Sequence, residues 1–129
     1  MIVADSSAFV ELLLARPRTA AIRTALRSHS EVHVPSHFHV EVLSALRRYS
    51  LQGRLGDRRT ASALAGLVRF RALTYPMREL LEPTWELRFN LTTYDAAYLA
   101  LARRLDVGLL TLDGALADAA ARDGRLVPV

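Results

Sequence analysis

The sequence predicts an α/β fold: a single domain over residues 1–129, with a central parallel sheet of four to five strands flanked by helices. Short β-branched runs alternate with longer stretches of helical periodicity along the whole chain, the signature of strand–helix–strand units. The composition, 51% hydrophobic and 23% charged over 129 residues, is that of a packed globular chain. A domain of this size buries roughly two thirds of its unfolded surface, so a core can form without disulfide or structural metal. No repeat, linker or low-complexity stretch divides the sequence.

The elements follow in order. Met1–Ala4 reads as a buried strand, followed by a helix from about Ser6 to Ala15. Pro17 suits the first turn of a second helix running to about Ser28, because its missing N–H has no helical partner there. Glu31–Val34 is the second strand. Pro35 and Ser36 open a helix that Gly53 closes near Gln52. Asp57 can cap the next helix, to about Phe70, and Ala72–Tyr75 forms a third strand. Pro83 interrupts a helical pattern that continues through Trp85 to Phe89. Thr92 or Thr93 caps a helix to Leu105. Gly108–Thr111 is a strand, Asp113 starts a helix to about Ala121, and Leu126–Val129 is a last strand. Parallel pairing of consecutive strands requires right-handed crossovers.

Composition also excludes functions. With no cysteine, Cys-based zinc sites, redox motifs and thiol nucleophiles are absent. The amino terminus lacks a basic segment followed by a long apolar one, and no apolar run approaches the roughly 18 residues that span a bilayer; a cytoplasmic protein with no membrane partner is expected. The net charge is +4 and the pI about 10.3. All 17 basic residues are Arg, which inflates the pI because Arg hardly deprotonates. The excess is local: between positions 47 and 71, Arg47, Arg48, Arg54, Arg58, Arg59, Arg69 and Arg71 face Asp57 alone. Such a stretch reads either as a phosphate footprint or as a solvated helix face.

The acids carry the chemistry. Asp5 and Asp113 each stand after a strand and before a helix, where Asp is an ordinary N-cap. Asp95, three residues after Thr92, could complement a helix dipole. At 100° per residue, however, it falls between Leu99 and Ala102 on the apolar stripe extended by Tyr98 and Leu105. A carboxylate turned toward a core needs a partner. Glu41 has no capping role, since it sits in mid-helix. Phe38, Val42, Ala45, Leu46 and Tyr49 share one face there, and His37, Glu41, Ser44 and Arg48 form a polar strip at its edge, as on a helix that walls a cleft or as on any amphipathic boundary.

In open α/β sheets the crevice lies beyond the carboxyl ends of the strands, where Asp5 and Asp113 fall; Asp95, opening a helix, can face the same side. Four carboxylates there call for a hard divalent cation, and oxygen-only ligation suits Mg²⁺ or Mn²⁺ over zinc. Such a centre suits water-driven displacement at phosphorus.

Four segments, Ile2–Ala8, Glu41–Leu46, Leu91–Tyr98 and Thr111–Asp113, resemble the successive signatures of PIN-domain ribonucleases, most closely VapC-type toxins. The resemblance covers nearly the whole chain in the family's order. It implies a PIN-like single domain in which Asp5, Glu41, Asp95 and Asp113 bind Mg²⁺ or Mn²⁺, Glu41 directly or through water, with Ser7 and Thr111 as polar supports. It also implies RNA as substrate, a homodimer, and a cognate antitoxin covering the acidic cleft. Arg47, Arg48, Arg58 and Arg59 are the leading contacts to RNA or antitoxin; Asp118 matches a fifth acid only loosely. A receiver-type phosphoacceptor requires a late lysine, and the chain has none. A zinc hydrolase built on His37, His39 and Glu41 leaves three Asp unexplained. A non-catalytic Arg-rich RNA-binding or regulatory module with a PIN-like fold is the remaining alternative.

Overall fold

The computed structural model describes residues 1–129. In chain order it contains β1 (Ile2–Ala4), α1 (Ser6–Leu13), α2 (Thr19–Arg27), β2 (Val32–Pro35), α3 (Phe38–Leu51), α4 (Asp57–Arg69) and β3 (Leu73–Tyr75). A 3₁₀ turn (Met77–Leu80) then leads to α5 (Leu81–Glu86), α6 (Thr93–Leu105), β4 (Gly108–Leu110) and α7 (Gly114–Arg122). All strand pairs are parallel, in the order β3-β2-β1-β4. The chain thus steps outward from β1 through β2 to β3, then crosses back to lay β4 on the other side of β1. The strand order reverses at β1, which makes the carboxyl ends of β1 and β4 the switch point where such sheets open a crevice.

The alternation of a strand sorts the core into two clusters. Val3 and Leu109, paired in register, belong to a cluster of 22 buried residues that includes Phe9, Phe38, Val42, Tyr98 and Leu116. Ile2 and Leu110 turn to the other side and pack with Ala8 and Ile22. α6 runs through the middle of the molecule: its residues from Ala96 to Ala102 are at most 1% exposed, and the small Ala side chains let it approach the sheet. Phe9, Phe38 and Phe70 stack in a tilted trio with centroid separations of 4.1 to 5.9 Å, a geometry that aromatic quadrupoles favour.

The expected elements are present with shifted ends. α2 begins at Thr19 beyond Pro17, Pro35 closes β2 with α3 starting at Phe38, and Gly56 takes the N-cap of α4 with Asp57 in its first turn. Three further differences are larger. The last strand is reduced to one parallel bridge, Leu109 with Leu126, because β4 ends at Leu110 and leaves no ladder to extend. The first helix stops at Leu13, and Ala15 takes a left-handed φ of 51° to turn the chain toward α2. The pattern around Pro83 splits into a 3₁₀ turn and a six-residue helix that ends at Glu86, Pro83 lying in the first turn, where no backbone donor is required.

The α6–α7 edge is tied by Arg103, whose guanidinium grips both carboxylate oxygens of Asp123. Asp123 is accordingly held below the ordinary carboxylate range by the Arg103 hydrogen bonds and charge. Its folded pKa is depressed, so its contribution to stability exists above the unfolded pKa and is lost as pH falls through the folded one. Both side chains reach solvent, which confines the pair to about 0.2–1 kcal/mol. Asp123→Asn is expected to lower neutral-pH stability by that amount in a denaturant titration, and the difference should vanish in acid.

Candidate active site

Asp5 leaves the end of β1 with its amide bonded to the carbonyl of Leu110 at 2.9 Å, which pins it between β1 and β4 at the switch point. Although it occupies the N-cap position of α1, its side chain does not cap. The carboxylate is 2% exposed and takes three hydroxyl donors: Ser7 Oγ to Oδ2 at 2.5 Å, Thr111 Oγ1 to Oδ2 at 2.7 Å and Ser6 Oγ to Oδ1 at 3.2 Å. Ser7 and Thr111 are themselves held, since their oxygens accept from the amides of Leu112 at 2.9 Å and Asp113 at 3.1 Å. Burial raises the Asp5 pKa against these hydrogen bonds, and the charge of Glu41 raises it further.

Asp113 follows β4 and does cap α7, its Oδ1 accepting from the amide of Leu116 at 2.9 Å; Oδ2 has no partner in the chain. In α6 the cap is Thr92, which accepts from the amide of Asp95 at 3.2 Å. The Asp95 pKa is raised by burial first, then by the charges of Asp113, Asp5 and Glu41, with the Thr92 hydroxyl opposing. Asp95 thus feels the charges of the other three acids, and Asp5 feels that of Glu41.

Glu41 is fixed from two sides. Tyr98 Oη, from the buried face of α6, donates to Oε1 at 2.6 Å. His37 Nε2 lies 3.2 Å from the same oxygen and 3.0 Å from the carbonyl of Tyr94; both neighbours are acceptors, so this nitrogen carries its hydrogen. Oε2 is left free. Burial and the Glu41 carboxylate push the Tyr98 phenol far above its ordinary range, which keeps it a donor at any working pH.

Tyr98 and His37 escaped the sequence reading in these roles. Periodicity counts a buried Tyr as apolar, and the only signal for its partner is the general need of a buried phenol for one. His39, in contrast, borders an apolar groove between α3 and α4 with Leu64, Val68 and Phe70, away from His37, so no helix-face zinc pair forms. Asp118 is exposed on α7 and is not among the charges acting on Asp5 or Asp95. The Arg residues separate: Arg48 lines the cleft with Glu41, Arg47 lines the α3–α4 groove, Arg58 is exposed on α4, and Arg59 donates to the carbonyl of Leu14 at 3.0 Å.

The cleft holds about 600 Å³. No three carboxylate or imidazole groups stand close enough to form a closed ligand cage; the acids influence one another at longer range. The donor chemistry nevertheless fits a hard cation. It is all oxygen, and Glu41 and Asp113 each keep an unbonded oxygen.

Comparison with known proteins decides the family. The PIN domain family matches residues 2–122. This chain belongs to that family. Ribonuclease VapC12 of Mycobacterium tuberculosis is 38% identical over 117 residues, covering 91% of this chain and 90% of that protein. Ribonuclease VapC9 of the same organism is 39% identical over 118 residues, covering 92% and 90%. The crystal structure of M. tuberculosis VapC20, a sarcin-ricin loop cleaving toxin, superposes with a TM-score of 0.70 at 22% identity over 92% of this chain and 95% of that one. A toxin-antitoxin complex from Klebsiella pneumoniae gives 0.59 at 19% identity over 88% and 87%. The four acids of this PIN domain thus sit on a fold shared with VapC toxins. No helix is long and apolar enough to cross a membrane.

Proposed function

We propose that this PIN domain is a growth-inhibiting toxin that hydrolyses RNA phosphodiester bonds as a metal-dependent endoribonuclease and is restrained by a cognate antitoxin. The observation that carries the reading is the placement of Asp5 and Asp113 after the paired strands β1 and β4, with the charges of Asp5, Asp113 and Glu41 all reaching Asp95. Asp5, Asp95 and Asp113 would hold Mg²⁺ or Mn²⁺, and Glu41 would hold it directly or through water. A divalent ion there supplies charge neutralisation at phosphorus and lowers the pKa of water.

The protein's own share is positioning. Ser7 and Thr111 fix the orientation of Asp5. Tyr98 and His37 occupy Glu41 Oε1, leaving Oε2 unbonded and available to accept a proton of the attacking water. Arg48, lining the same cleft, offers a guanidinium to the RNA backbone.

A protein partner is supported by apolar side chains left at the surface. Val40, Leu43, Leu64 and Val68 are 43–78% exposed along α3 and α4, a patch of the kind that marks contacts and one open to the antitoxin or to a second copy in a homodimer. The reading is tested by incubating single-stranded RNA with the protein, freed of any co-purified antitoxin, in Mg²⁺ or Mn²⁺ and in EDTA. Cutting with metal and none in EDTA is expected. Equal cutting in EDTA would remove the metal from the mechanism, and no cutting under any condition would favour the non-catalytic RNA-binding module.

A further inference from the structure

Of the four acids Glu41 lines the cleft, next to Ser6 and Ser7, whose hydroxyls hold Asp5. The far wall of the cleft is built by Arg16, Arg48 and Tyr49, and Arg16 and Tyr49 also line an adjoining hollow of about 190 Å³ with Arg54 and Arg59. Three guanidinium carbons surround the Tyr49 ring, at 5.4 Å for Arg16, 5.6 Å for Arg48 and 4.9 Å for Arg54 from its centroid. Arg16 donates to Tyr49 Oη at 2.7 Å and lies 3.8 Å from Glu11. Neither Arg48 nor Arg54 takes part in any ion pair. The cluster therefore concentrates three positive charges against one acid. The ring gives them partial compensation through its face. Since Tyr49 Oη already accepts from Arg16, its own hydrogen remains available to donate.

We infer that Arg16, Arg48 and Arg54, gathered around Tyr49, form a subsite for a backbone phosphate of RNA neighbouring the one placed at the acids. The inference rests on the ribonuclease reading and deepens it. Guanidinium groups suit phosphate oxygens through paired N–H donors, and a strand presented to the acids at one end of the cleft must carry a further phosphate along it. RNA is favoured over an acidic protein segment because a strand engaged at the acids necessarily carries a further phosphate along the cleft, whereas Glu11 and Glu41 in the same cavity repel either anion alike. Arg47 and Arg58 lie outside this track, and Arg59 borders its outer end.

The test uses Asp95→Asn protein, which should bind a labelled single-stranded RNA without cutting it, with and without Arg48→Gln and Arg54→Gln. The side chains of these two Arg make no hydrogen bond or ion pair in the chain, so the fold should tolerate their loss; matched thermal melts check this. Affinity at low salt is expected to fall about tenfold or more, and the slope of log K against log salt to lose about 0.7, one phosphate on a single strand. The Arg48→Lys, Arg54→Lys pair should restore most of the slope. In the otherwise wild-type protein the Gln pair should raise KM more than it lowers kcat. If the wild type cuts RNA while the slope is unchanged by the Gln pair, the subsite alone is overturned. The same holds if the Gln pair abolishes binding of an oligoglutamate probe and leaves RNA binding intact. If the wild type cuts no RNA with metal present, the ribonuclease reading fails and takes the subsite with it.

Discussion

Asp95→Asn is expected to abolish RNA cleavage and, in metal-free buffer, to make the protein more stable than the wild type at neutral pH. The two effects share one cause. The Asp95 pKa is raised by burial and then by repulsion from Asp113, Asp5 and Glu41, so its charge opposes folding unless a cation neutralises it. Activity should drop at least about 100-fold, the upper end for losing even a supporting partner of a metal ligand. The sign of the pH dependence follows from linkage. A carboxyl whose folded pKa lies above its unfolded one makes a contribution to stability that is complete below the unfolded value, near 3.8, and lost as pH rises through the folded value. Melting temperatures of metal-free wild type and Asp95→Asn should therefore converge as pH is lowered toward that range and separate above it. Adding Mg²⁺ or Mn²⁺ should raise the melting temperature of the wild type and leave the Asn variant nearly unmoved. A variant that is less stable without metal, or that cuts within about tenfold of the wild type, a loss smaller than ligand removal allows, would falsify the metal role of Asp95.

The parts of this site differed in how far the sequence disclosed them. Strand–helix alternation and the positions of Asp5 and Asp113 after strands were enough for the architecture, because periodicity and turn chemistry are local. Whether an Asp at a helix start caps that helix is not local. Asp5 and Asp113 look alike in the chain, yet Asp5 is drawn off its cap by hydroxyls that include Thr111, 106 positions away, whereas Asp113 caps with one oxygen. Glu41 was conspicuous as a mid-helix acid without a local role, and the structure supplies its partners in His37, one turn earlier, and Tyr98, 57 positions on. The Arg run between 47 and 71 carried a true excess of charge but a misleading grouping. A helix distributes successive residues around its axis, so Arg48 enters the cleft and Arg47 does not. Arg16, 33 positions before Tyr49, could join the cluster only through the packing of α1 against α3.

Tyr98→Phe should cost the enzyme more than its conservative chemistry suggests. The phenol is wholly buried and its one partner is Glu41 Oε1 at 2.6 Å, so Phe fits the same space while removing a donor to a carboxylate. A hydrogen bond to a charged group is worth about 1.5–3 kcal/mol. Solvent reaching Glu41, whose side chain is 24% exposed, should hold the measured loss of stability to the lower part of that range. The functional loss is of a different kind. Without Tyr98, Oε1 keeps only His37 at 3.2 Å, and the carboxylate is free to rotate away from its present orientation, in which Oε2 is unbonded. Loss of an outer partner of this type weakens metal binding or activity about 10–100-fold, and a decrease in that range is expected in both Mn²⁺ affinity, read by calorimetry, and kcat. His37→Gln, which keeps an N–H donor in reach, should lose less than His37→Phe on both measures. If Tyr98→Phe binds Mn²⁺ and cuts RNA like the wild type while still losing stability, Tyr98 is a core donor only, and Glu41 is held in place by the backbone of α3.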